Sequence, residues 1–320
     1  MRAIVAENTG GPEVLRLAEI AEPRPSSGEL LVKTAVTGVN FIETYQRSGQ
    51  YNVPFPFTPG AEASGTVIEV GEGVTGFSPG DHVTTAEAKG TYAERFVVSA
   101  EAAIKVPETI PLDLAGALPL QGLTAHYLCT SAAKPREGDT VLVHAGAGGV
   151  GLLLTQLLTD RGVRVLTTAS TSHKKKLSRQ AGATEVLDYD DFAERSREIT
   201  DGYGVDVVYD GVGKDTFDDS LKSLRVRGKM VLFGAASGPV PPFDLQRLNS
   251  GGSLSITRPS LGHFLRSVEE RGWRYHELFD AIERGQLQVR IGVRFPLAEA
   301  AQAHIALEGR ATTGKVVLEG

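Results

Sequence analysis

Apolar and β-branched residues fall along this chain in two rhythms. Up to about residue 120 they come in short runs between frequent turns. Ala3-Ile4-Val5 and Leu15-Arg16-Leu17-Ala18-Glu19-Ile20 flank Gly10-Gly11-Pro12, and a run at 29–36 follows Pro25-Ser26-Ser27-Gly28. Further runs lie at 64–71, 81–85 and 92–98, with Glu72-Gly73 and Pro79-Gly80-Asp81 among the turns. Short strands, many turns and little helix predict a barrel-like or irregular β domain. Near Asp113 the rhythm changes. Helices are expected at 113–117 and 122–128. Strands are then expected at 140–145, 164–169, 185–189, 205–210 and 229–234, with helices near 150–161, 174–181, 192–200 and 216–226. Serial strand–helix units predict a doubly wound parallel sheet. Residues 253–257 offer a sixth strand. The tail is mixed, with helices around 260–271, 276–284 and 297–308. Its last strands, at 289–295 and 315–319, are free to return to the first domain.

The first repeated unit carries the chemistry. Thr140-Val141-Leu142-Val143 breaks into Gly146-Ala147-Gly148-Gly149-Val150-Gly151, a G-x-G-x-x-G. Val150, Leu153, Leu154, Leu157 and Leu158 then recur at helical spacing up to Gly162. In the order strand, glycine turn, helix, this is a dinucleotide site. The glycines permit the turn, the approach of a pyrophosphate and close helix packing, and the helix N-terminus faces the phosphates. The alternative is a glycine-rich turn in some other α/β protein. A site for NAD usually carries Asp or Glu about 20 residues past the glycines, on the ribose 2′-OH. No acid occurs between Asp160 and Glu185, where the chain reads Ala169-Ser170-Thr171-Ser172-His173-Lys174-Lys175-Lys176 and then Arg179. Hydroxyls and a lysine attract a 2′-phosphate, so NADPH is expected. The alternative is a solvated basic helix face.

Composition narrows the class. At 320 residues, two domains are expected. The chain is 41% hydrophobic and 22% charged, with a net charge of −6, which weighs against nucleic acid as a partner. Its one cysteine, Cys129, allows no internal disulfide and is expected as an apolar filler. The start, MRAIVAENTGG, lacks the apolar core of a signal peptide, and no apolar run approaches a membrane span. A cytoplasmic location is expected. The seven histidines form no metal-binding spacing, and no Ser/His/Asp or Cys/His arrangement stands out.

Several stretches together are specific. They include Gly11-Pro12-Glu13-Val14-Leu15, the run from Gly38 to Tyr45, Arg47-Ser48-Gly49-Gln50-Tyr51 and Pro59-Gly60-Ala61-Glu62-Ala63-Ser64-Gly65. Gly122-Leu123-Thr124-Ala125, Gly148-Gly149-Val150-Gly151, Thr257-Arg258-Pro259-Ser260 and Arg310-Ala311-Thr312-Thr313-Gly314-Lys315 complete the set. On these the chain resembles the medium-chain dehydrogenase/reductase superfamily, and within it the zinc-free quinone oxidoreductases related to zeta-crystallin. The resemblance implies a GroES-like β-barrel-type catalytic domain from 1–122 and 261–320, and a Rossmann NADPH-binding domain at 123–260, with the active site in the cleft. Zinc-bearing relatives carry an early cysteine ligand and a Gly-His-Glu. The matching stretches here read Gly38-Val39-Asn40 and Gly60-Ala61-Glu62, so no metal is expected.

Position by position, the resemblance implies Asn40 near the nicotinamide and Thr124 near its carboxamide or ribose. It implies Gly146, Ala147, Gly148, Gly149, Val150 and Gly151 at the pyrophosphate. Ser170 and Lys174 would take the 2′-phosphate, with Tyr189 near the adenosine. Gly213, Phe233, Gly234, Ser237 and Ser260 would line the path to the nicotinamide, and Arg310 would pair with a phosphate. The expected activity is reduction of a quinone by NADPH. An oxyanion develops on the acceptor, and Tyr45, Tyr51 and Asn40 are the expected hydrogen-bond donors to it. Phe41, Tyr45, Tyr51, Phe55 and Phe57 form either a flat apolar slot or the packing of a loop. An NADPH-dependent 2-alkenal or enone reductase is the second enzyme reading. A nucleic-acid-binding or lens-type structural protein is the reading from another class. A homodimer is expected through strand 253–257 at the edge of the nucleotide sheet.

Overall fold

The computed structural model describes every residue from Met1 to Gly320. The chain divides into two compact units. One holds Met1–Gln121, Ser267–Glu283 and Val289–Gly320, and the other holds Gly122–Arg266 and Arg284–Gln288. The nucleotide-type unit thus extends past residue 260 to Arg266 and regains a short segment after 283. No helix is long and apolar enough to cross a membrane.

The first unit begins with an antiparallel ribbon of β1 (Arg2–Val5) and β2 (Arg16–Glu19). It continues through β3 (Glu29–Val39), α1 (Phe41–Arg47), β4 (Ala63–Val70), β5 (His82–Thr85), β6 (Arg95–Ser99), β7 (Ile104–Lys105), α2 (Leu112–Ala117) and the start of α3 (Pro119–Tyr127). β3 is long enough to take two partners along one edge. Its first half pairs β6 through Glu29–Lys33, and its second half pairs a strand from the chain's far end through Val36–Val39. Alternation explains its fit, since Leu30 and Val32 are buried against Val67, Val83, Phe96 and Val98.

The second unit carries β8 (Thr140–Val143), α4 (Gly149–Asp160), β9 (Arg164–Thr168), α5 (Ser172–Gln180), β10 (Glu185–Leu187), α6 (Phe192–Ile199) and β11 (Val205–Asp210). It ends with α7 (Phe217–Ser223), β12 (Leu224–Leu232), α8 (Gln246–Ser250) and β13 (Ser255–Thr257). All six strands are parallel, in the order β10-β9-β8-β11-β12-β13. The order reverses between β8 and β11, the switch point beside which doubly wound sheets bind ligands. Val141, Leu142 and Val143 are fully buried, as expected of a strand covered on both faces.

The chain returns to the first unit through α9 (Val268–Glu283), β14 (Ile291–Pro296), α10 (Ala300–Glu308) and β15 (Lys315–Glu319), the strand that completes β3. Two expectations differ. Helices at 260–271 and 276–284 are one 3-10 turn, Leu261–Phe264, and the single helix α9. Gly272 does not break α9, because Tyr275, Leu278 and Phe279 bury its face. The helix expected to reach 226 stops at Ser223, where Leu224 pairs with Val205 and starts β12.

Candidate functional site

The glycine turn follows β8 at the switch point. His144 ends the strand run, and Ala145 takes a left-handed φ of 53°. Ala145 O accepts the Gly148 N–H at 2.8 Å. Gly148 caps α4 with no side-chain partner, so the first N–H groups of this 12-residue helix have no intrahelical acceptor and suit an anion. Gly151 is needed for packing: a Cβ there would overlap Ala145 O and lie 2.9 Å from Gly146 Cα. The cradle therefore fits a pyrophosphate.

The neighbouring strand ends hold the other sequence-predicted residues of this unit. Ser170 is exposed after β9. Thr171 caps α5 by accepting the Lys174 N–H at 3.3 Å, and Lys174 is half-buried one turn in. Lys175 pairs with Asp188 at 2.7 Å, so one of the three lysines faces an acid of its own unit. Tyr189 follows β10, its ring stacked on His144 with centroids 6.2 Å apart. Gly213 follows β11, and Phe233 and Gly234 follow β12. Ser237 ties these two turns, donating to Val212 O at 2.8 Å and accepting the Asp215 N–H at 3.0 Å. Phe233 is half-buried and donates its N–H to Asp210 O at 2.8 Å. Ser260 is exposed after β13, and Thr124 is buried on α3. Asn40, Tyr45, Tyr51 and Arg310 belong to the first unit.

There, Asn40 caps α1 and sits in a buried polar cluster. The Lys315 ammonium on β15 donates to Asn40 Oδ1 at 2.6 Å and to Glu62 Oε2. Asn40 Nδ2 donates to Glu62 Oε2 at 2.8 Å, and Leu120 N–H donates to Glu62 Oε1 at 2.7 Å. Gly38 makes room for this cluster, since a Cβ would overlap Glu62 Oε2 and lie 2.7 Å from Lys315 Cε. The cluster does not fit zinc. Ala61 offers no imidazole, Asn40 no thiolate, and the cation already beside Glu62 is Lys315. Below it, Glu43 Oε2 accepts the Asn40 N–H at 2.7 Å while Oε1 has no partner. Burial raises the Glu43 carboxyl to a pKa of about 8, opposed by Lys315.

The aromatic run divides. Phe41, Phe55 and Phe57 pack on the core of Ile4, Leu15, Val39 and Leu318. Tyr45 and Tyr51 meet edge to face at 5.4 Å, and Tyr51 is 41% exposed. Their helix is anchored by buried Arg47, which donates to Gly10 O at 3.1 Å and Glu308 Oε1 at 2.8 Å and lies 3.0 Å from His304 Nδ1. Arg310 is exposed, with a left-handed φ of 54° at the turn after α10. Cys129 is buried in a π-helical turn, Leu128–Ala132.

Two clusters escaped the sequence reading. Glu62, Lys315 and Glu43 are far apart in the chain, and only the β3–β15 and β3–β4 pairings gather them. The other is a fully buried set, His144, Asp210, Ser220, Thr168 and Thr216, at the ends of β8, β9 and β11 and on α7. Its one signal is polar residues closing apolar strands.

Comparison with known proteins agrees with this architecture. The model of the alcohol dehydrogenase GroES-like domain matches residues 26–108, and that of the zinc-binding dehydrogenases matches 149–274. The chain is 44% identical to a quinone oxidoreductase of Pseudomonas aeruginosa over 313 residues, 97% of this chain and 96% of that one. It is 41% identical to a 2-haloacrylate reductase of a Burkholderia species, covering 99% and 98%. A solved structure of a mycobacterial protein complexed with NADPH superposes with a TM-score of 0.98 at 55% identity, over all of both chains. The chain belongs to the quinone oxidoreductases of the medium-chain dehydrogenase/reductase superfamily.

Proposed function

We propose that this protein is an NADPH-dependent quinone reductase that works without zinc. The observation that carries the reading is the glycine cradle at the β8/β11 switch point, next to a strand end with Ser170 and Lys174 and no carboxylate. Gly146–Gly151 and the N-terminus of α4 would hold the pyrophosphate, Ser170 and Lys174 the 2′-phosphate, and Tyr189 the adenosine. Thr124, Gly213, Phe233, Gly234, Ser237 and Ser260 are proposed along the path to the nicotinamide, and Arg310 at a phosphate.

Bound NADPH would supply the reducing equivalents, two electrons and a proton as hydride, with a second proton from solvent completing the hydroquinone. The chain's own residues orient the acceptor and stabilise the oxygen on which negative charge develops. Tyr45 and Tyr51 are proposed as donors to that oxygen, and Asn40 holds one Nδ2–H in reserve after binding Glu62. Lys315, fixed by Asn40 and Glu62, supplies a built-in positive charge in the catalytic domain.

The 2-haloacrylate reductase relative favours a second reading, reduction of a 2-alkenal or enone. Rates of NADPH oxidation with a 1,4-quinone, a 2-alkenal and 2-haloacrylate separate the two. A quinone rate well above the others supports the first reading, and turnover of the alkenal alone moves the enzyme to the second. The net charge of −6 weighs against a nucleic-acid-binding role. A homodimer through β13 is proposed because this edge strand pairs only with β12. A strictly monomeric mass by light scattering would remove it. A cytoplasmic setting is proposed because the chain carries one cysteine and therefore no internal disulfide.

A further inference from the structure

The buried polar set of the second unit forms one directed chain. Asp210 Oδ2 accepts from Ser220 Oγ at 2.9 Å and from Thr216 Oγ1 at 2.8 Å. Its Oδ1 accepts the N–H groups of Val212 at 2.8 Å and Gly213 at 2.9 Å. Ser220 has given its only proton to Asp210, so at 2.9 Å from His144 Nε2 its oxygen accepts, which places the ring proton on Nε2. His144 Nδ1 then accepts from Thr168 Oγ1 at 3.0 Å. Thr168 Oγ1 in turn accepts the Ala145 N–H at 3.2 Å. Every hydrogen in the chain has one direction, from the glycine turn to Asp210. Burial holds the His144 imidazole below the usual histidine range, opposed by the Asp210 charge.

The two ends of this chain explain its place. At one end is Ala145, a residue with a Cβ held at φ 53°. That conformation costs an L residue about 1–2 kcal/mol and persists only where its surroundings impose it. The same residue's carbonyl accepts from Gly148 and lies where a Cβ at Gly151 would fall. At the other end Asp210 fixes the turn of Gly213 and Ser237. The chain therefore spans the switch point, from the end of β9 through β8 to β11.

We propose that Thr168, His144 and Ser220 are positioning residues for NADPH: their hydrogen-bond chain holds Ala145 left-handed and so keeps the glycine turn in the shape that receives the pyrophosphate. They do not touch the reacting atoms. The proposal rests on the NADPH reading above, and NADPH binding by the unaltered protein tests that reading separately.

The test is direct titration of NADPH, followed by its fluorescence, on Thr168→Val, Thr168→Ser and Ser220→Ala. Thr168→Val keeps the side chain's shape but removes both the acceptor for Ala145 and the donor to His144. It is expected to weaken NADPH binding about tenfold, with the loss appearing in KM rather than kcat. Thr168→Ser restores affinity to within about twofold of the unaltered protein. Ala145→Gly, added to Thr168→Val, recovers part of the loss, because glycine takes a positive φ without strain. Should Thr168→Val fail to fold, Ser220→Ala decides, with an expected rise in Kd of about threefold or more. Folded variants that bind NADPH as the unaltered protein does, with only a lower Tm, would overturn the proposal. No binding by the unaltered protein would instead defeat the cofactor reading.

Discussion

Lys315 and Asn40 lie 275 residues apart in the chain and 2.6 Å apart in the fold. The ammonium at the start of β15 reaches the carboxamide at the cap of α1, and both rest on Glu62. This buried cation is held by one carboxylate and one carboxamide, both buried in the first unit. Removing one partner of a buried pair leaves an uncompensated charge and costs about 3–5 kcal/mol. Lys315→Met is expected to lose stability on that scale in chemical denaturation, and a loss below about 1 kcal/mol would place this pair with exposed ones.

Glu43, beneath the same cluster, makes stability depend on pH. Its folded pKa is raised from 4.5 to about 8, so between those values the folded state binds more protons than the unfolded one. Stability from this group is present at low pH and is lost as pH rises from about 4.5 to about 8. The groups facing it are Lys315, which opposes the shift, and Glu62 and Tyr92. Glu43→Gln keeps an acceptor for the Asn40 N–H and cannot ionise. The variant is expected to match the unaltered protein near pH 5 and exceed it at pH 9 in denaturation midpoints. Equal pH slopes in the two proteins would contradict this.

His304 works in the opposite direction. Burial and the Arg47 charge lower its pKa from 6.5 to about 3. Between these values the unfolded state binds the extra proton, so stability falls as pH falls from about 6.5 towards 3. Replacing His304 with Gln should flatten the acid limb of a stability–pH profile while lowering its plateau. An unchanged acid limb would show that the imidazole is charged in the folded state.

Gly151→Ala tests the cradle itself. The added Cβ meets backbone at Ala145 and Gly146, which cannot move aside like a side chain. NADPH affinity is expected to fall tenfold or more, about 1.4 kcal/mol, in a fluorescence titration. Unchanged affinity would separate the glycine turn from the phosphates.

Ser170→Asp tests the cofactor choice. A carboxylate beside a 2′-phosphate repels it by about 4 kcal/mol at 4 Å in a partly screened site. The kcat/KM for NADPH is expected to fall about 100-fold or more while that for NADH holds or rises. Because Ser170 is exposed, Tm should stay unchanged. A surviving preference for NADPH would move the 2′-phosphate elsewhere.

The sheet of the second unit was legible because short apolar or β-branched stretches alternate with helical spacing and its turns carry glycine. Val141–Val143 and Gly146–Gly151 announce a buried strand and the glycine turn that follows it. Pattern failed where packing decides. The pattern predicts two helices, at 260–271 and 276–284, yet α9 runs unbroken through Gly272 on the strength of Tyr275 and Phe279. The polar clusters were hidden for a different reason. Lys315, Glu62 and Asn40 meet only because β3 takes β4 on one edge and β15 on the other, and periodicity carries no record of such pairings. His144 and Asp210 each look like a strand-end polar residue until the sheet order sets β8 beside β11.

The most direct test is steady-state oxidation of NADPH and of NADH by a 1,4-quinone, with and without a strong metal chelator. Rapid turnover with NADPH, a kcat/KM for NADH lower by about 100-fold, and no effect of the chelator are expected. Loss of activity on chelation, or a preference for NADH, would contradict the zinc-free NADPH reading.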